Sequence, residues 1–220
     1  MTGAKEIVLV GAGGCMREIV WQMQEMNKKE INWKILGYVD ISVPEYGQRC
    51  MVGGIEIPYL GSDEYLLSKE EPTNVVICVG NPEVRKKIAT KLKGNPKLHF
   101  PNVILGNTRV CEDVHIGSGC IISMDARIST NVKIGNFVFM NIGSVICHDG
   151  RIDDFVTLSP DVKLAGNVTV GRKSEIGMGA EVIQGISIGE NVTIGAGAVV
   201  VKNIESGKTA VGVPARQIKD

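Results

Sequence analysis

From Ile104 to Val200 every sixth residue is aliphatic, with no insertion and no polar residue in the series. A period of six matches neither the 3.6-residue α-helix nor a simple alternating strand. It predicts a coil of short strands joined by tight turns, in which three hexads close one triangular coil of eighteen residues. Strands of successive coils would lie about 4.8 Å apart and stack the aliphatic side chains into internal ladders. The seventeen positions are Ile104, Val110, Ile116, Ile122, Ile128, Ile134, Met140, Ile146, Ile152, Leu158, Leu164, Val170, Ile176, Val182, Ile188, Ile194 and Val200.

Glycine often follows the aliphatic position, at residues 117, 135, 171, 177, 189 and 195. We expect this slot to be a turn position with positive φ, where a residue without a Cβ is least strained. Asn141 and Asp153 occupy the same slot and belong to the types that tolerate that conformation best. Residues 104–204 are therefore predicted to form a parallel β-helix. Residues 205–220 are predicted to cap its open end.

Residues 1–103 follow a different pattern. A β-branched run at 6–10 leads into a glycine-rich turn at 11–16 and then into an amphipathic stretch with apolar residues at helical spacing. Further strands are predicted at 35–39 and 75–79. A helix is predicted at 83–92, with Arg85, Lys86 and Lys87 facing outward. These elements indicate a small Rossmann-like parallel α/β domain of about three or four strands.

The glycine-rich turn departs from the dinucleotide fingerprint G-x-G-x-x-G, because its third conserved position is Met16. A bulky side chain there would hinder the close packing of helix on strand that a full dinucleotide site needs. NAD is therefore disfavoured. A plain structural turn and a mononucleotide or nucleotide-sugar site remain as alternatives.

A nucleotide site would use the carboxyl ends of the parallel strands. Backbone amides of Gly13, Gly14 and Cys15 would meet phosphates at the N-terminus of the first helix. Asp40, after the second strand, would accept a hydrogen bond from a base or ribose. Gly80 and Asn81, after the third, would leave room for the ligand.

Composition restricts the partners and the compartment. The 24 Lys and Arg balance the 24 Asp and Glu, so no net field favours nucleic acid or an acidic membrane. The six cysteines form no CxxC pair and no zinc spacing, which is typical of reduced thiols in a cytosolic protein. No long apolar run predicts a signal peptide or a membrane span, so a cytoplasmic location is expected.

His148 is the strongest candidate for chemistry among the three histidines, because Asp149 follows it midway along the repeats. Residues eighteen apart stack, so Gly166 is expected directly above the imidazole. It would leave open space there, with a backbone N–H that could face a reacting carbonyl. A surface histidine is the alternative. Zinc is disfavoured because the sequence offers no third imidazole for a site. Cys147 is disfavoured as a nucleophile because only the adjacent His148 favours that role.

A second set of residues falls on another corner of the predicted coil. Met178 and Ala196 stack on each other, and Asn141 is nearly in phase with them. In a single prism this corner points away from His148. In a threefold assembly the two corners can converge in the groove between neighbours, so the site is predicted to lie between subunits.

Several segments together carry a family resemblance over the whole chain. The segments are Val10-Gly11-Ala12-Gly13-Gly14, Gly37-Tyr38-Val39-Asp40, Asn141 with His148-Asp149, Leu164-Ala165-Gly166-Asn167-Val168 and Gly212-Val213-Pro214-Ala215-Arg216. With them the chain resembles the sugar acyltransferases of the sialic-acid O-acetyltransferase (NeuD) and amino-sugar N-acetyltransferase (PglD) type. The resemblance implies a left-handed β-helix, a homotrimer, and acetyl transfer from acetyl-CoA to a sugar that is often nucleotide-linked, without a metal.

The resemblance also implies residue roles. His148 would be the general base, Asp149 its orienting acid, Asn141 a groove residue of the neighbouring subunit and Gly166 a backbone donor to the thioester carbonyl. Two further sets are implied by position. The cofactor channel would include Met178 and Ala196, and the sugar-nucleotide site Gly14, Cys15, Met16, Asp40 and Gly80.

The chain departs from this family in two places. Thr157 stands where the family often has a second histidine, nine residues after the first, so any hold on CoA by that histidine is weakened or replaced. Cys15-Met16 stands where a histidine is common in the turn. We expect an acetyl-CoA-dependent N-acetyltransferase acting on a nucleotide-linked amino sugar. A sugar O-acetyltransferase and a non-catalytic sugar-nucleotide-binding scaffold are the alternatives.

Overall fold

The computed structural model describes residues 4–30, 32–41 and 49–218. The chain divides into two compact units. The first comprises Met1–Gly80 with Val84–Pro101, and the second comprises Asn81–Glu83 with Asn102–Asp220. No helix among the described residues is long and apolar enough to cross a membrane.

The N-terminal part of the chain forms a six-stranded sheet among the described residues. The elements are β1 (Lys5–Val10), α1 (Gly14–Asn27), β2 (Trp33–Val39), β3 (Arg49–Val52), β4 (Ile55–Gly61), α2 (Asp63–Leu67), β5 (Thr73–Ile77), α3 (Pro82–Leu92) and β6 (Leu98–His99). The strand order is β3-β4-β2-β1-β5-β6. All neighbours run parallel except β3 and β4, which pair antiparallel.

The estimate of three or four strands was too low, because the hairpin β3–β4 and the short β6 were missed. Gly53 and Gly54 join β3 to β4 with φ values of +55° and +79°. A two-residue turn with both φ values positive is the geometry that matches the twist of a hairpin, and glycine adopts it readily.

The buried face of α1 contributes to the core of this unit. Met16, Ile19, Val20 and Met23 are fully buried and recur at helical spacing. Met16 therefore packs inside the unit and does not point toward a ligand. A nucleotide could meet only its backbone.

The C-terminal part of the chain is a parallel β-helix of two-residue strands, each of which ends on one of the seventeen aliphatic residues. The predicted hexad coil is confirmed. The strands are β7 (Val103–Ile104), β8 (Arg109–Val110), β9 (His115–Ile116), β10 (Ile121–Ile122), β11 (Arg127–Ile128), β12 (Lys133–Ile134), β13 (Phe139–Met140), β14 (Val145–Ile146), β15 (Arg151–Ile152), β16 (Thr157–Leu158), β17 (Lys163–Leu164), β18 (Thr169–Val170), β19 (Glu175–Ile176), β20 (Glu181–Val182), β21 (Ser187–Ile188), β22 (Thr193–Ile194) and β23 (Val199–Val200).

Three sheets form the faces of the prism. The first face contains β7-β10-β13-β16-β19-β22, the second β8-β11-β14-β17-β20-β23, and the third β9-β12-β15-β18-β21. Partners are eighteen residues apart, as in Ile128↔Ile146 and Ile146↔Leu164. From Ile122 to Val200 the inward aliphatic side chains are at most 5% exposed, whereas Ile104 in the first coil is 40% exposed.

The strand β24 (Thr209–Val211) continues the first face, and β25 (Arg216–Ile218) returns antiparallel beside it. Ala210 and Ala215 join the apolar core of the β-helix. The last residues of the described chain thus add a hairpin to one face.

The prediction of positive φ directly after the aliphatic residue was wrong. Positive φ occurs instead three residues after the aliphatic residue, at positions that include Asn131, Asp149 and Asn167. Close packing of coils explains the glycines instead. A Cβ on Gly171 would lie 2.6 Å from the carbonyl carbon of Gly189 in the next coil, a distance that no real Cβ tolerates.

Candidate active site

His148 and Asp149 occupy the turn between β14 and β15. Nδ1 of His148 lies 2.8 Å from Oδ2 of Asp149, and the two side chains are 61% and 48% exposed. Because a carboxylate only accepts, Nδ1 carries the proton in this pair, and Nε2 of the neutral ring keeps its lone pair. The predicted pair is therefore formed. Nε2, the atom through which a general base acts, keeps its lone pair.

Asp149 accepts a second hydrogen bond, from Nδ2 of Asn131 to Oδ1 at 2.6 Å. The hydrogen bond from His148, and then the one from Asn131, hold the pKa of Asp149 below its usual range. Asp149 is therefore ionised at neutral pH. Asn131 was missed by the sequence reasoning, although its spacing of eighteen from Asp149 is a signal that could have found it.

Gly166 lies one coil along from His148, as the spacing predicted. A Cβ built on Gly166 would lie 2.5 Å from Nε2 and 3.1 Å from Nδ1 of the imidazole. The main chain around the glycine is held on both sides: Asn167 N–H donates to the His148 carbonyl at 2.8 Å, and Gly185 N–H donates to the Gly166 carbonyl at 3.0 Å. The absence of a side chain is what allows the ring to rest there.

Residues 130–131, 148–149 and 166–167 follow strands of the second face, and we call this edge the His148 corner. Met178 and Ala196 instead follow β19 and β22 of the first face, at an edge we call the Met178 corner. Both side chains are exposed, and Gly197 N–H donates to the Met178 carbonyl at 2.8 Å. The second face separates the two corners within one chain.

Asn141 directly follows β13, one residue before the position of its coil that lies in phase with Met178 and Ala196. Its Oδ1 accepts from the N–H of Ile142 at 2.7 Å. Thr157 is the first residue of β16 and is 4% exposed. A side chain with so little surface has little to offer a ligand, and its role in holding CoA stays a prediction.

The glycine-rich turn lies at the carboxyl edge of the N-terminal sheet. Gly11 N–H donates to Val39 O and Cys78 N–H donates to Val10 O, both at 2.8 Å, so the ends of β2, β1 and β5 are neighbours. Helix α1 begins at Gly14, and no side chain caps its first turn. The N–H groups of this first turn have no acceptor within the helix and suit a phosphate.

Space for a ligand exists at this edge. A Cβ on Gly13 or Gly80 would meet nothing within 4 Å, and one on Gly14 would meet only the end of the Arg17 side chain at 3.9 Å. Asp40 follows β2, and Asn81 follows Gly80 in the loop after β5. The structure therefore places Gly13, Gly14, Asp40 and Gly80 at one edge of one sheet. Asn81 falls in the other compact unit.

Arg85 was predicted to face outward, and this was wrong. Its side chain is 1% exposed, and Nη1 donates to the carbonyls of Val79 and Gly80 at 2.7 Å each. The guanidinium thus provides a hydrogen-bond donor for the two carbonyls in the loop after β5. The sequence pattern did not predict the burial of Arg85, because an arginine in a helix is normally expected to face solvent.

Cys15 stands at the start of α1. Burial raises the pKa of its thiol to about 12, against a smaller opposing effect of the Arg85 charge. The thiol therefore stays protonated and can contribute its backbone N–H but no thiolate. All six cysteines are free, and no group of three or more His, Cys, Asp or Glu in the described ranges could hold a metal.

Comparison with known proteins agrees with both halves of this picture. A family model described as the PglD N-terminal domain matches residues 6–92, and one described as bacterial transferase hexapeptide (six repeats) matches residues 167–202. GDP-perosamine N-acetyltransferase of Escherichia coli O157:H7 is 32% identical over an alignment of 219 positions that covers 96% of this chain and 95% of that protein.

Solved structures extend the likeness to the fold. A variant of GDP-perosamine N-acetyltransferase from Caulobacter crescentus, in complex with CoA and GDP-perosamine, matches with a TM-score of 0.86 at 27% identity. The match covers 100% of this chain and 99% of that one. The acetyltransferase domain of PglB from Neisseria gonorrhoeae FA1090, in complex with acetyl coenzyme A, matches with a TM-score of 0.85 at 27% identity and covers 98% and 100%.

The fold and the matches define an acyltransferase built on a left-handed parallel β-helix. The chain belongs to the hexapeptide-repeat sugar acyltransferases of the PglD/NeuD type.

Proposed function

We propose that this protein transfers the acetyl group of acetyl-CoA to the amino group of a nucleotide-linked sugar, with His148 as the general base. The observation that carries the proposal is the His148–Asp149 pair, with Nδ1 bound to the carboxylate at 2.8 Å and Nε2 left as the base. The full-length likeness to GDP-perosamine N-acetyltransferases supports an amine acceptor and a nucleotide-linked sugar.

Proton transfer follows from this geometry. The sugar nitrogen attacks the thioester carbonyl carbon, and Nε2 of His148 takes the proton that the nitrogen loses. The negative Asp149 stabilises the imidazolium that forms. When the tetrahedral intermediate collapses, the carbon–sulfur bond breaks, and the proton on Nε2 goes to the departing CoA thiolate. The reaction needs no acyl-enzyme.

Gly166 supplies the second element of the mechanism. Its main chain is fixed by neighbours on both sides, and its N–H has no acceptor among the residues that the structure describes. A fixed backbone donor beside the reacting carbonyl stabilises the developing oxyanion without reorganisation. The remaining acceleration comes from holding both substrates in line.

A homotrimer would complete the site. His148 is 61% exposed in a single chain, whereas a general base works best where water is excluded. Met178 and Ala196 lie on a different corner of the prism, across the second face. A threefold assembly joins one chain's His148 corner to a neighbour's Met178 corner. Mixed trimers of His148→Ala and Met178→Asp subunits should then recover activity that neither variant has alone.

The N-terminal sheet edge would hold the nucleotide. The free amides at the start of α1 meet the phosphates, and Asp40 accepts from the base or ribose. The side chain of Met16 is buried and Cys15 is a neutral thiol, so these two residues contribute backbone N–H groups.

The test is CoA release by the wild-type protein with acetyl-CoA and a panel of UDP-, GDP- and CMP-linked sugars, each with and without a free amine. Release that depends on the amine supports the proposal. Release with hydroxyl acceptors alone overturns N-acetylation in favour of O-acetylation. No CoA release together with no acetyl-CoA binding overturns the enzymatic function and favours a scaffold.

A further inference from the structure

We propose that Asn131 is a positioning residue for His148 and acts through Asp149. The inference rests on the proposed role of His148 as the general base. Nothing in the family resemblance or the comparisons assigns a role to Asn131, which lies one coil before Asp149 at the His148 corner.

The Asp149 carboxylate is held from both sides. Nδ2 of Asn131 donates to Oδ1 at 2.6 Å, and Nδ1 of His148 lies 2.8 Å from Oδ2. With one oxygen fixed by each partner, the carboxylate cannot rotate without losing a charge-assisted hydrogen bond. Asn131 thus determines where Oδ2 lies, and Oδ2 in turn orients the imidazole and selects its tautomer.

Asn131 is itself held in place. Its N–H donates to Oδ2 of Asp113 at 3.0 Å, and the hydroxyl of Thr130 donates to the same oxygen at 2.6 Å. The φ of Asn131 is +54°, a conformation that asparagine tolerates well. A hydrogen-bonded chain therefore runs from Asp113 through Asn131 and Asp149 to His148, across three coils.

The residue type at position 131 fits this role. Aspartate would tolerate the same backbone conformation but would place an acceptor against the Oδ1 acceptor of Asp149. Glycine would tolerate the conformation and donate nothing. The amide of Asn131 supplies the donor and leaves the net charge of the corner unchanged.

Another corner of the β-helix provides a comparison without a histidine. Nδ2 of Asn136 donates to Oδ1 of Asp154 at 3.1 Å, and the N–H of Asn136 donates to the same oxygen at 2.7 Å. Both bonds end on one oxygen, so this contact ties two coils together. At Asp149 the two oxygens are divided between a structural neighbour and the candidate base.

The experiment compares Asn131→Gly, Asn131→Asp and the control Asn136→Asp with wild type, by steady-state kinetics over pH 5 to 9 and by thermal melting. Asn131→Gly should lower kcat roughly tenfold and leave the KM for acetyl-CoA unchanged. In Asn131→Asp the added negative charge favours the protonated imidazole. The acidic limb of the kcat/KM profile should therefore move to higher pH. Asn136→Asp should lower the melting temperature but leave kcat and the profile unchanged.

The outcomes separate this inference from the proposed function. Wild-type kcat and an unshifted profile in both Asn131 variants, with His148→Ala inactive, would overturn the role of Asn131 alone. Full activity of His148→Ala would overturn the proposed base and the inference with it. If Asn131→Asp fails to fold, Asn131→Gly still decides the matter through the split between kcat and KM. An equal shift of the profile in Asn136→Asp would show a general charge effect and overturn the inference.

Discussion

The imidazole of His148 occupies the space that a side chain on Gly166 would fill, since a Cβ there would lie 2.5 Å from Nε2. The candidate base and the candidate oxyanion donor are thus placed by the same contact. Eighteen residues separate them in sequence, and one turn of the coil brings them together.

Gly166→Ala should lower kcat about a hundredfold, because the new methyl group displaces Nε2 of His148. A misplacement of about 1 Å in a catalytic group costs about that much in rate. The His148 side chain is 61% exposed and can move aside, and Gly166 does not have positive φ. The melting temperature should therefore change little. Steady-state kinetics and thermal melting measure the two effects.

Gly207→Ala is the matched control for that variant. Gly207 has a φ of +73°, and a Cβ on it would meet nothing within 4 Å. The substitution should cost about 1 kcal/mol of stability through backbone strain while kcat stays at the wild-type value. Equal activity losses in the two variants would contradict a specific role for the Gly166–His148 contact.

Arg85→Met should destabilise the protein by roughly 2–4 kcal/mol, because the carbonyls of Val79 and Gly80 lose a buried cationic donor. The loop that contains Gly80 should then move, and nucleotide-sugar affinity should fall. Arg85→Lys retains a charge and a donor and should lie between wild type and Arg85→Met. Urea unfolding and calorimetric nucleotide binding test this, and wild-type affinity in folded Arg85→Met would contradict it.

Acid should destabilise the β-helix through the His148 corner. Thr130 is the main cause that holds the pKa of Asp113 below its usual range, and His148 is the main cause for Asp149. A carboxyl with a lower pKa in the folded state stabilises the fold above its unfolded pKa, and this contribution is lost as pH falls through the folded pKa. Melting temperature should therefore drop below about pH 4.

Asp113→Asn should make that acid limb shallower. The control Glu112→Gln removes a charge from the neighbouring exposed position, which forms no such hydrogen bond in the described part of the chain. Melting curves between pH 3 and 7 for the three proteins provide the comparison. An acid limb in Asp113→Asn as steep as in wild type would rule out this source of pH dependence.

Sequence was sufficient for the β-helix because its signal is local and repeated. One inward aliphatic residue per face is required in every coil, and seventeen successive positions obey that requirement. The same period placed Gly166 on His148 without any coordinates. The family resemblance then supplied the chemistry, and whole-chain matches agreed with it.

Predictions from the sequence were wrong where the local structure depended on contacts between coils or on one unusual side chain. The slot of positive φ contains Phe137 and Phe155, which no composition rule would place there. Their rings stack on each other, 5.3 Å apart and within 2° of parallel, and this packing offsets the strain. Arg85 was misplaced because its hydrogen bonds go to carbonyls five and six residues before it, a contact that no periodicity reveals.

The most direct test of the account compares wild type and His148→Ala with acetyl-CoA and a nucleotide-linked amino sugar. CoA release gives kcat, and calorimetry gives the Kd for acetyl-CoA. The account predicts a fall in kcat of roughly a hundredfold or more with the Kd for acetyl-CoA unchanged. A kcat for His148→Ala near the wild-type value would contradict the assignment of His148 as the base.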